Sequence, residues 1–127
     1  MSALLDGLRV LVLEDEFLIA MDVEQLCRDN GAADVIVAGT LSGIDLDGSP
    51  GFDVAIVDLM LGGVSTLDLA RQLRARAIPF VFASGYSSTD DIVAEFTDIP
   101  MVPKPYSGAD LIGAVAAVAG REAAPQA

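Results

Sequence analysis

Positive charge is scarce in this chain. Seven Lys and Arg residues face 19 Asp and Glu, and Lys104 is the only lysine. The net charge of −12 argues against nucleic-acid binding, because that affinity rests largely on Lys and Arg neutralising phosphates. The same surface would be repelled by an anionic membrane. Cysteine is nearly absent too. Cys27 stands alone, so no disulfide can close within the chain and a reducing cytosol is the natural setting. It falls on the apolar stripe of an expected helix and reads as a core residue. No apolar run approaches the roughly 20 residues that span a bilayer. Met1 opens no signal peptide, since Leu4 and Leu5 are followed at once by Asp6 and Arg9. The expectation is a soluble, cytoplasmic protein with no membrane partner.

Aromatics make up only 6% of the chain, yet 53% of it is apolar. That balance describes a compact fold rich in Val, Ile, Leu and Ala, not a disordered segment. A length of 127 residues suits one domain with one substantial core. The domain is expected to fill residues 1–120, with 121–127 an Ala/Pro-rich tail that frays.

Five short apolar runs recur at Leu8–Leu13, Val35–Ala38, Val54–Val57, Phe80–Ala83 and Met101–Val102. Most are continuously apolar, as strands covered on both faces of a parallel sheet should be. Helical patterns separate them. Over Glu16–Asn30, Ile19, Val23, Leu26 and Cys27 share one face and Asp22, Gln25 and Asp29 the other, with Gly31 at the expected C-terminal stop. A helix carrying Leu69, Leu73 and Ala77 is expected to open at Ser65 with Asp68 three residues on. The last one repeats the device with Ser107 and Asp110. Two helical slots are weak. Residues 41–50 hold Gly43, Gly48 and Pro50, and residues 87–97 offer only Ile92, Val93 and Phe96 as anchors. Both are expected to be short or mobile. Strand and helix alternating five times predicts a parallel α/β sheet with right-handed crossovers and helices on both faces.

Sites in such sheets form outside the carboxyl ends of the strands. The first strand ends in Glu14-Asp15-Glu16, the third in Asp58, the fourth in Ser84 and the fifth in Lys104. Each follows an apolar run directly, so all should converge on one rim. Two carboxylates about 5 Å apart repel by roughly 3 kcal/mol at an effective dielectric near 20, and a helix N-terminus returns at most about 1 kcal/mol. The rim therefore calls for a cation. Hard oxygen ligands with room for water suit magnesium, or manganese in its place.

The segments Val10–Glu16, Val54–Met60, Phe82–Tyr86 and Pro103–Tyr106, in this order and spacing, resemble the receiver domain of bacterial two-component response regulators. The resemblance implies a flavodoxin-like, doubly wound five-stranded sheet of order 2-1-3-4-5 with about five helices. It implies that Asp58 accepts a phosphoryl group from phosphohistidine on a sensor histidine kinase or histidine phosphotransferase. Asp15, Asp58 and the backbone carbonyl of Met60 would hold magnesium, with Glu14 acting mainly through water. Ser84 would be the switch hydroxyl. Lys104 would meet the phosphoryl oxygens, and the Lys104–Pro105 peptide would be cis. The chain has no histidine, so it can receive a phosphoryl group from phosphohistidine but not donate one that way. It would be no turnover enzyme, promoting only its own phosphorylation and dephosphorylation, and its output would pass to another protein or drain a shared kinase.

Two departures matter. Receivers usually carry an aromatic three residues before the strand-five lysine, where this chain has Met101. Phe82-Ala-Ser-Gly-Tyr86 and Gly62-Gly63 instead resemble the FAT GUY variant, which implies a partner kinase of the HWE or a related type. Tyr86 is then a candidate to share the switch role. Two other readings stay open: a pseudo-receiver that binds partners without phosphorylation, and a haloacid-dehalogenase-type phosphatase. The second wants an Asp two residues after the nucleophile, where this chain has Met60.

Overall fold

The computed structural model describes residues 4–48, 51–84, 94–104 and 107–121, with Ser84 described by its backbone alone. Its strands are β1 (Arg9–Leu13), β2 (Asp34–Ala38), β3 (Val54–Asp58), β4 (Met60–Leu61), β5 (Val64–Ser65), β6 (Phe80–Ser84) and β7 (Met101–Pro103). Three helices are described, α1 (Phe17–Asp29), α2 (Leu67–Ala75) and α3 (Gly108–Val118). The five parallel strands run in the order β2-β1-β3-β6-β7, which is the expected 2-1-3-4-5 once the small β4–β5 hairpin is set aside. None of the described helices is long and apolar enough to cross a membrane.

Alternate residues of each continuously apolar strand feed two separate cores. Val10, Val12, Val54, Ile56, Val81 and Ala83 face the α1 and α3 side, where Val23, Cys27, Leu111 and Val115 meet them. Leu11, Leu13, Ala55, Val57, Phe80 and Phe82 face the α2 side and pack with Leu69, Leu73 and Phe96. Full burial of each Val, Leu, Ile or Phe side chain among them is worth about 1.5–3 kcal/mol, and the two cores clamp the central strands from both faces. Cys27 is wholly buried, and burial pushes its thiol up to about 12. It is core, as expected.

Two local expectations need correction. Residues 41–48 form turns, not a helix. Gly43 takes φ +83°, outside helical space, while Leu46 still reaches the second core. The start of α2 lies one residue later than expected. Thr66 is its N-cap, and Ser65 instead accepts a bond from Leu67 N–H at 3.2 Å. About five helices were expected and three are described. Of the slot at 87–97, residues 87–93 lie outside the described part, Ala94 and Glu95 are helical and Phe96 is buried. α3 opens as expected, with Ser107 Oγ accepting from Asp110 N–H at 3.4 Å.

The β4–β5 hairpin was not anticipated. Gly62 and Gly63 have φ of +59° and +80°, the pair of positive values that a two-residue type I′ turn demands and that Gly-Gly supplies without strain.

Candidate functional site

Three strand ends deliver the rim. β1 runs into Glu14, whose N–H bonds Ala38 O at 3.1 Å and so extends the β1–β2 ladder by one step. β3 ends at Asp58, and Leu59 N–H bonds Ala83 O at 3.2 Å just beyond it. β7 ends one residue before Lys104. Glu14 and Asp58 are thus held by ladder bonds at the strand ends.

Glu14, Asp15 and Asp58 each place one carboxylate oxygen so that all three lie within 4.8 Å of one another. Asp15 is exposed, while Glu14 and Asp58 are only 3% and 8% exposed. Lys104 Nζ stands between the two buried acids, 2.6 Å from Glu14 Oε1 and 2.8 Å from Asp58 Oδ2. It donates a hydrogen bond to Asp58. The Glu14 contact is a close, buried ion pair. Glu14 Oε2 accepts from Glu16 N–H at 3.1 Å, tying this carboxylate to the start of α1.

Burial pushes the Glu14 carboxyl above its ordinary range, against the pull of Lys104 and the Glu16 N–H. Three carboxyl groups share this rim with one ammonium, so positive charge is in short supply there. A hard cation fits that deficit: its donors are carboxylate oxygens close enough to share one ion.

The chain is 35% identical over 117 residues to the sensory transduction protein RegX3 of Mycolicibacterium smegmatis, covering 90% of this chain and 51% of RegX3. It is 30% identical over 117 residues to the response regulator ArlR of Staphylococcus epidermidis, covering 89% of this chain and 53% of ArlR. The chain therefore spans about half the length of the curated relatives it matches. A response-regulator receiver domain from Francisella superposes with a TM-score of 0.71 at 25% identity, over 91% of this chain and 98% of that one. A response regulator receiver protein from Sinorhizobium medicae superposes at 0.76 with 22% identity, over 91% and 97%. No protein-family model matches the chain. The chain has the fold of response-regulator receiver domains.

At this rim the structure brings Glu14, Asp15, Asp58 and Lys104 together, the convergence expected from the strand ends. Met60 opens the hairpin two residues beyond Asp58 and is half-buried. Ser84 is the last residue of β6, paired in register with Pro103. Met101 opens β7 opposite Phe82 and is 37% exposed. Tyr86 and the Lys104–Pro105 peptide lie outside the described residues. Sequence reasoning missed two features of the rim. Glu14 is as close a partner of Lys104 as Asp58 is, and Thr66, wholly buried, bonds the carbonyls of Asp58 and Leu59. A hydroxyl residue just ahead of a helix that starts behind a Gly-Gly turn was the available signal for Thr66.

Proposed function

We propose that this chain is the phosphoacceptor of a two-component or phosphorelay system. Asp58 takes a phosphoryl group from phosphohistidine, then signals through protein–protein contacts or drains a shared kinase. The observation that carries this reading is Lys104, wedged between two buried carboxylates at the end of a parallel sheet.

An Asp58 oxygen attacks phosphorus, the P–N bond to the partner's imidazole breaks, and an acyl phosphate forms as the imidazole recovers a proton. Lys104 is already within reach of the acceptor and can follow the charge onto the new phosphoryl oxygens. The resemblance casts Ser84, at the adjacent strand end, as the switch hydroxyl for the same oxygens. Asp15, Asp58 and the Met60 carbonyl would hold magnesium or manganese, which when bound neutralises phosphoryl charge in the in-line transfer. Glu14 orients Lys104 and would support the ion mainly through water. Phe17 and Leu18, both 74% exposed at the start of α1 beside this rim, suit a partner that covers the site, either a sensor histidine kinase or a histidine phosphotransferase. Resemblance to the FAT GUY variant favours a kinase of the HWE or a related type, with Tyr86 and Met101 as the positions where the switch departs from the common pattern. No nucleic acid is needed, and the protein performs no turnover beyond its own phosphorylation and dephosphorylation.

Profiling against phosphorylated kinases at short times should single out one donor, and Asp58→Asn should take up no label from it. Equal labelling of Asp58→Asn and wild type would refute the assignment.

A further inference from the structure

Thr66 is a hydroxyl residue with no solvent exposure at all. It is the N-cap of α2, yet its side chain makes no cap bond. A capping threonine normally uses its oxygen to accept from the first turn of the helix. Here the hydroxyl is turned the other way. Oγ1 donates toward Asp58 O at 2.7 Å and Leu59 O at 3.0 Å, and Thr66 N–H bonds the same Leu59 O at 3.1 Å. These contacts close the base of the loop that holds the β4–β5 hairpin, pinning it onto the last residue of β3. The loop carries Met60, and its base is Asp58. Packing alone does not require the hydroxyl, since valine has nearly the same shape. What valine lacks is the donor that these two carbonyls share.

We propose that Thr66 is a positioning residue for the phosphoacceptor, its hydroxyl fixing the Asp58 backbone and the hairpin so that Asp58 and Met60 keep their place against Glu14 and Asp15. This rests on the receiver reading. Reacting groups displaced by about 1 Å can lose on the order of 100-fold in rate. The loss should therefore appear in the reaction of folded protein, not only in its stability.

The test compares Thr66→Val, which keeps shape and loses the donor, with Thr66→Ser, which keeps the donor. Phosphorylation by a small acyl phosphate is followed at saturating Mg2+, well below the melting temperature, together with Mg2+ affinity by calorimetry. Thr66→Val should slow the saturated rate by roughly 10- to 100-fold and weaken Mg2+ binding, and Thr66→Ser should recover most of both. A folded Thr66→Val with wild-type rate and affinity overturns the proposal. If Thr66→Val does not fold, NMR of the wild-type protein decides. A slowly exchanging Thr66 hydroxyl proton that shifts with the Asp58 and Met60 carbonyls on adding Mg2+ supports positioning. A hydroxyl that exchanges freely and ignores Mg2+ overturns it. Wild-type protein that takes up no phosphoryl group and binds no Mg2+ would sink the receiver reading instead.

Discussion

The acidic rim and the outer flank of α2 are built from the same two kinds of group in opposite proportions. On the flank each arginine has an acid of its own. Arg71 grips Glu95 with two bonds of 2.8 and 2.7 Å, Arg74 holds Asp98 at 2.7 Å, and Arg76 holds Asp47 at 2.7 and 2.9 Å. Arg74 also lies over the Phe96 ring, 4.5 Å from its centre. These pairs are solvated. The arginines hold Asp47, Glu95 and Asp98 below the usual carboxylate range. On the rim one lysine serves two buried carboxylates, a third stands close by, and burial moves Glu14 the other way.

The signs of these shifts separate the two regions. An acid held below its ordinary value stabilises the fold above that value, and the gain is lost as pH falls through the folded value. Glu14, held above its ordinary value, has the opposite effect: ionising it near neutrality costs stability. Exposed, matched pairs contribute little and are screened by salt. Buried, unmatched charge is costly unless something compensates it. The flank is thus a modest fastening between α2 and the segments around residues 47 and 94–99. The rim is a standing deficit of positive charge, the kind of site that a bound cation completes.

The sharpest way to break the comparison is to remove the rim's one cation. Lys104→Met should destabilise the protein by about 2 kcal/mol, and added Mg2+ should restore part of that loss; urea titrations with and without Mg2+ measure both. A variant as stable as wild type would mean that the rim acids are less crowded than their geometry implies. Next in size is the gain from the ion itself. Mg2+ at ten times its dissociation constant should stabilise wild type by about 1.4 kcal/mol, visible as a higher Tm, and Asp15→Asn should lose most of that rise. An equal rise in both would remove Asp15 from the site. The smallest effect belongs to the flank. Arg76→Gln should lower the Tm slightly at neutral pH. The gap should shrink in high salt and close in acid, once Asp47 is protonated in both proteins. A gap that persists in acid would mean that Arg76 acts through packing.

Much of the rim was legible because Glu14, Asp58 and Lys104 each follow a continuous apolar run closely, and a parallel sheet turns that sequence position into a place. The two-sided burial of β1, β3 and β6 was legible for the same reason. Thr66 was not. Ser65 and Thr66 can both cap a helix, and only tertiary packing decides that Ser65 stays exposed while Thr66 is buried with its proton aimed back at β3. The pairing of Glu14 with Lys104 joins residues 90 positions apart and has no local signature. The turns at 41–48 were half-legible, since the glycines that weakened the expected helix are also what lets the chain depart from it.

The most direct test is mass spectrometry of the intact protein and its peptides after exposure to a small acyl phosphate, with and without Mg2+. One phosphoryl adduct, dependent on Mg2+ and mapping to Asp58, is the predicted result. An adduct that forms equally well without Mg2+, or that persists in Asp58→Asn, would contradict the view that the acidic rim exists to receive a phosphoryl group.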